Sequence, residues 1–80
     1  MKIKIRLLTQ LKQYLPDPDM AGDTQVLDVK ENATIGEVLD ELGIPLDMPK
    51  VIMLNDKQGK LEDRLKAEDR VTIFPPVGGG

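Results

Sequence analysis

Residues 34–43 read TIGEVLDELG. Thr34 and Glu37 have the spacing of a capping box, in which the hydroxyl accepts from the Glu37 amide and the carboxylate reaches back. Ile35, Val38, Leu39 and Leu42 follow at i, i+3, i+4 and i+7, which is one apolar stripe on a helix. Gly43 supplies a left-handed stop, and Pro45 follows shortly after. A helix with one apolar stripe needs an apolar surface to cover, and the flanking sequence supplies strands.

Upstream, Lys2–Leu7 reads KIKIRL, with Ile3, Ile5 and Leu7 alternating with Lys2, Lys4 and Arg6. That period of two is a strand with one buried face. Leu8, Leu11 and Leu15 then recur at helical spacing, which predicts a short helix over residues 8–15 with Thr9 as its cap. Pro16 ends it, and residues 16–24 (PDPDMAGDT) form a loop by composition. Asp17, Asp19, Gly22 and Asp28 fall at some calcium-loop positions, but Pro18 and Ala21 intrude, and a solvated turn is the better reading. Gln25–Lys30 is a second strand, with Leu27 and Val29 on one face, paired with the first.

Downstream, Val51–Leu54 is an apolar run that predicts a buried strand, leaving through a polar turn over Asn55–Gly59. Leu61 and Leu65 anchor an irregular stretch over Lys60–Asp69. Arg70–Phe74 is the last strand, with Val71 and Ile73 inward and Thr72 and Phe74 on the opposite side. The acidic pairs Glu62-Asp63 and Glu68-Asp69 read as solvated surface. This order predicts an α+β fold of β-grasp type: a mixed sheet, one main helix on one face, and a short extra helix after the first strand. The last strand pairs parallel with the first in the middle of the sheet. The domain is expected to span residues 1–76, with a flexible tail over residues 77–80.

The chain has 80 residues and a net charge of -3. A domain of this size buries about 60–65% of its unfolded surface, so its core is modest. It has no Cys, His, Ser or Trp. Thiolate zinc sites, disulfides and a Ser or Cys nucleophile with a His base are therefore excluded. No apolar run reaches the roughly 20 residues of a membrane span, and the first ten residues lack a signal-peptide core, so the cytoplasm is the expected compartment. Net acidity without a basic block argues against nucleic acid as the partner.

The chain ends Phe74-Pro75-Pro76-Val77-Gly78-Gly79-Gly80. Neither proline can donate to a sheet ladder, so the strand stops there. Residues 77–80 can extend about 13 Å. Three glycines without Cβ atoms fit a narrow channel and leave the terminal carbonyl open to attack. Such a tail can enter another protein's active site while the body stays outside.

This ending resembles that of the ubiquitin-like sulfur carriers of the MoaD/ThiS type, most of all the small subunit of molybdopterin synthase, whose chains typically end Phe-Pro-Pro-Val-x-Gly-Gly. The likeness extends to KIKIRLL, to TIGEVLDEL and to the Glu68–Ile73 approach to the tail. Two departures stand out. Many family members open the first helix with an aromatic-Gly pair where this chain has Leu8-Thr9-Gln10, and many have a short Val-Asn-Gly turn where this chain has Leu54–Gly59.

The resemblance implies a carrier, not an enzyme, with no stably bound cofactor and no metal. An E1-like adenylating enzyme would use ATP to activate the Gly80 carboxylate. A sulfur donor protein would then convert it to a thiocarboxylate, and the large subunit of molybdopterin synthase would accept the sulfur. Gly80 is then the covalent site, Gly78 and Gly79 give access, and Phe74, Pro75, Pro76 and Val77 touch the partner. The chain alone would be a monomer, with no nucleic acid or membrane as partner. Carriage for thiamine, tungsten-cofactor or sulfur amino-acid synthesis, conjugation to lysine as a ubiquitin-like modifier, and a plain interaction domain are the alternatives.

Overall fold

The computed structural model describes residues 1–76. Its strands are β1 (Lys2–Leu7), β2 (Thr24–Asp28), β3 (Val51–Leu54), β4 (Lys57–Gln58) and β5 (Arg70–Phe74), and its α-helix is α1 (Ile35–Leu42). They form a five-stranded sheet in the order β2-β1-β5-β3-β4. β1 pairs antiparallel with β2 and parallel with β5, while β3 runs antiparallel to both β5 and β4. This is the ubiquitin-like β-grasp arrangement that the sequence predicts.

The sheet has two unlike faces because the strands alternate. Ile3, Ile5 and Leu7 of β1 and Val71 and Ile73 of β5 point to the inner face and are buried with Ile35, Val38 and Leu39 of α1. Lys2, Lys4 and Arg6 alternate with them and are exposed. The capping box is present: the Thr34 hydroxyl accepts from the Glu37 amide, and the Glu37 carboxylate accepts from the Thr34 amide at 3.0 Å. Gly43 adopts φ 84, and its amide bonds Asp40 O while that of Ile44 bonds Leu39 O, a Schellman ending. Leu42, at the end of the stripe, is only half-buried.

Three expectations need correction. The segment after β1 is a 3₁₀ helix over Thr9–Tyr14, and Thr9 does not cap it. The capping position falls on Leu8, and the Thr9 hydroxyl instead donates to Leu8 O at 2.7 Å. Thr9 itself sits at φ 53, a left-handed conformation that is strained for a β-branched residue. Leu11 and Leu15 are buried as expected.

The run Val51–Leu54 is not a buried strand. Only Ile52 is buried, because the helix covers one face of the sheet and the other stays open. The polar turn after it contains β4, which closes a hairpin through Asn55 and Asp56, with Asn55 at φ 56. Gly59 then packs under the hairpin. A Cβ there would meet Ile35 Cδ1 and Leu54 Cβ at 3.2 Å, a tight contact that these neighbours would have to relieve by a small shift.

The acidic pairs are not simply solvated. Glu62 and Glu68 are exposed, but Asp63 accepts from the Lys60 amide at 2.9 Å and Asp69 from the Lys66 amide at 2.8 Å. Each carboxylate fixes a turn by taking a backbone N–H with no other partner. The ordered stretch in turn serves α1. Asp63 O and Leu61 O accept from the amides of Ile35 and Gly36, two of the donors a helix start leaves free.

Candidate functional site

β5 lies in the middle of the sheet, so its end is held from both sides. Phe74 is paired with Val51 of β3, and the Leu8 amide donates to Ile73 O at 3.1 Å. The chain can leave only along the strand direction. Phe74 and Pro75 are half-buried and Pro76 is exposed, so these three of the predicted contact residues form a stem at the end of β5. Val77, Gly78, Gly79 and Gly80 lie outside the described residues.

The stem opens onto the outer face of the sheet. Leu8 has extended backbone (φ -106, ψ 154) and continues the register of β1, which places it beside Phe74. Leu8, Val51, Met53, Thr72 and Phe74 are all half-buried with no helix over them. Further from the tail the same face turns basic. Lys4 is the register partner of Arg70, and Arg6 that of Thr72. Lys2 pairs with Asp28 at 3.3 Å, Arg6 with Asp23 at 3.2 Å and Arg70 with Asp56 at 3.0 Å. Among the described residues, no such pair involves Lys4.

Two of these contacts favour the charged form of their carboxylates. Asp23 lies below its ordinary pKa because the Thr24 hydroxyl and the Arg6 guanidinium bond it. Asp28 is lowered by the Lys2 ammonium and then by the terminal amine of Met1. On the other side of the stem, Lys50 precedes β3 and donates to the carbonyls of Pro45, Leu46 and Met48 at 3.2, 2.9 and 2.7 Å. Burial pushes its pKa down. The ammonium thereby closes the loop beside the tail base.

A shallow groove of about 570 Å³ lies at the opposite end of the sheet, beside the β3–β4 hairpin, where Lys57, Arg64 and Lys66 line it with Asp63 and Asp69. Both of those carboxylates are spent on turn amides. It is remote from the stem, because Leu54 marks the hairpin end of β3 and Val51 the tail end. Among the described residues, no three acidic side chains could hold a metal ion, and Asp17 is tied through its backbone to the Gln25 side chain. No helix among them is long and apolar enough to cross a membrane.

The sequence predicts Phe74, Pro75 and Pro76 at the end of the last strand and the parallel pairing of that strand with the first, and both are present. It predicts a buried strand for Val51 and a helix for Leu8, so it does not set these two beside Phe74, and the register that sets Lys4 beside Arg70 comes from the structure.

Comparison with known proteins agrees with this geometry. The model of the ThiS family matches residues 6–80. No curated protein matches the chain. Among solved structures, SAMP1 from Haloferax volcanii superposes with a TM-score of 0.75 at 23% identity, covering 100% of both chains. A protein of Pyrococcus furiosus assigned as molybdopterin converting factor, subunit 1, has a TM-score of 0.73 at 20% identity, over 96% of this chain and 99% of the other. A complex of subunits 1 and 2 of the molybdopterin-converting factor from Helicobacter pylori gives a TM-score of 0.62 at 21% identity, covering 100% of each chain. At these identities the structures attest the fold, and the family model attests the kinship: the chain belongs to the ThiS family, the ubiquitin-like sulfur carriers of MoaD/ThiS type.

Proposed function

We propose that the chain delivers sulfur through Gly80, as the small subunit of a molybdopterin synthase. An activating enzyme joins the Gly80 carboxylate to AMP and releases pyrophosphate. The terminal sulfur of a persulfide on the donor protein attacks the carbonyl, and AMP leaves. A thiol then cleaves the acyl disulfide, which frees a thiocarboxylate on Gly80 and leaves a disulfide on the donor. The large synthase subunit takes the sulfur into its product. On this reading the body is a handle and the partners do the catalysis, in the ATP-containing cytoplasm.

The observation that carries the reading is the family match, which runs through to residue 80 and so includes the glycines. The geometry supports it, since β5 is fixed on both sides and ends in Phe74-Pro75-Pro76. Proline fixes φ, so the stem directs whatever follows away from the body. The H. pylori neighbour is a complex of subunits 1 and 2, which favours a large-subunit acceptor. The likeness to SAMP1, a small archaeal modifier protein, favours a second reading, in which Gly80 is joined to lysines of target proteins.

Intact mass of the untagged protein from its native host tests both. One oxygen replaced by sulfur, located at Gly80, is the expected result. An unmodified terminus together with isopeptide adducts on target lysines would replace sulfur carriage with the modifier reading.

A further inference from the structure

We infer that the free edge of β2 pairs antiparallel with the β2 edge of a second copy, about a two-fold axis at Val26, so that two sheets become one. Among the described residues β2 is paired on one side alone, by β1. The Leu7 amide donates to Asp23 O at 3.0 Å, and Met1 and Val29 exchange bonds at 2.8 and 2.6 Å. Bonded and unbonded positions alternate in an antiparallel pair, so Asp23, Gln25, Leu27 and Val29 turn their main-chain groups toward β1. The N–H and C=O groups of Thr24, Val26 and Asp28 therefore point out of the edge, and all three residues are exposed. Val26 is 58% exposed, more than any other large apolar side chain among the described residues. Natural edges are usually blunted by proline, lysine, a bulge or a short strand. β4 is such a short edge, with two residues. β2 has five residues, TQVLD, in unbroken register with β1. The loop before it is fastened to the inner side, because the Gln25 side chain, opposite Ile5, bonds the amide and the carbonyl of Asp17.

The edge is complementary to itself. Outward-pointing residues must meet outward-pointing residues, and Val26 against its own symmetry mate is the register that pairs all of Thr24–Asp28. Thr24 then lies opposite Asp28 of the second copy, and each bonded pair exchanges two hydrogen bonds. Charge agrees with this register. Across the joint on the outer face the order is Lys2, Asp28, then Thr24 and Arg6 of the second copy. The Asp28 carboxylate thus meets a hydroxyl with a guanidinium one strand beyond, and no like charges are opposed. In the middle Val26 covers Val26, flanked on each side by Lys4. Five residues a side bury less than a standard interface, so the dimer is weak, with a Kd of about 100 µM. The axis stands normal to the sheet, so the two stems leave in opposite directions and both tails stay free to enter other proteins. The dimer departs from the monomer that the sequence leads one to expect, and it holds whichever chemistry the tail serves.

Sedimentation equilibrium of the untagged full-length chain, from about 10 µM to about 1 mM, tests the inference. A reversible monomer–dimer equilibrium is the expected result. Val26→Pro removes an outward donor and puts a ring into the joint, while the bonds of Gln25 and Leu27 to β1 remain. It should abolish the dimer and leave the amide spectrum of the core in place. Thr24→Asp sets carboxylate against carboxylate at both ends of the joint and should weaken the dimer about tenfold, and by less at high salt. Thr24→Lys sets an ammonium against the same Asp28 and should tighten it about threefold. Opposite signs at one position mark this register. A chain that stays monomeric at about 1 mM overturns the inference and leaves the edge to strands of other proteins. A dimer that survives in folded Val26→Pro overturns it as well, and so do Thr24→Asp and Thr24→Lys if they act alike. Should Val26→Pro fail to fold, the two Thr24 variants still decide.

Discussion

On β1 and β5 one residue in two faces the helix and the next faces away. Inward, Ile5, Leu7, Val71 and Ile73 are 0% exposed. Outward, Lys4, Arg6, Arg70, Thr72 and Phe74 are none of them buried. The same ten or so peptide units thus hold the core together on one side and present a sorted surface on the other. A strand keeps these duties apart because its period is two, so a change on one face leaves the other in place.

The sharpest way to break that division is to truncate both sides. Ile5→Ala should cost about 2–5 kcal/mol, through lost burial and the cavity left behind. For a domain of this size that is a large share of all its stability. Lys4→Ala, next to it on β1, should stay within about 0.5 kcal/mol. Denaturant midpoints measure both. If the two costs were similar, the outer face would be structural as well.

A smaller effect is expected at Thr9, where β1 hands over to the 3₁₀ helix. A β-branched residue at φ 53 stores strain that glycine does not. Thr9→Gly should stabilise the fold by about 1 kcal/mol, after allowing for glycine's freer unfolded chain. A loss of stability in chemical denaturation would mean that the bond from the Thr9 hydroxyl to Leu8 O outweighs the strain. Either result calibrates how firmly Leu8 is held beside the stem.

The smallest effect lies on the helix side. The Lys30 ammonium, 2.7 Å from Glu37, and then the Thr34 amide lower the Glu37 carboxyl to about 2. Its folded pKa lies below the unfolded value of 4.5, so its contribution is present above pH 4.5 and is lost as pH falls toward 2. Glu37→Gln should flatten that part of the acid limb in melts between those values. An unchanged acid limb would remove the capping box from the account of acid sensitivity. Lys30 is raised by the same carboxylate, so its share is present at lower pH and fades as pH rises past its folded value.

The sequence reveals what is periodic and local. The alternation of KIKIRL and the stripe of TIGEVLDEL need no partner to be recognised, and β1, α1 and β5 are where those patterns put them. β4 has two residues, both exposed, and two residues carry no period. Val51–Leu54 is apolar throughout, a pattern shared by strands buried on both faces, so only the one-sided layering reveals it as half-open. The turn-fixing roles of Asp63 and Asp69 depend on where two loops close. The candidate site divides the same way. The Phe-Pro-Pro stem is legible in composition and the parallel pairing of the first and last strands in their order, whereas the register that sets Lys4 beside Arg70, 66 positions away, is not.

That parallel register also has a mechanical meaning. β1 and β5 lie side by side and point the same way, so Met1 and the stem leave the pair at opposite ends. A pull between those ends loads the hydrogen bonds of the pair in shear, all together, and does not peel them one by one. β3, on the other flank of β5, adds its own bonds to the resistance. A machine that draws on the stem therefore meets its greatest resistance at the first step, and the fold can be tugged by its tail without yielding strand by strand.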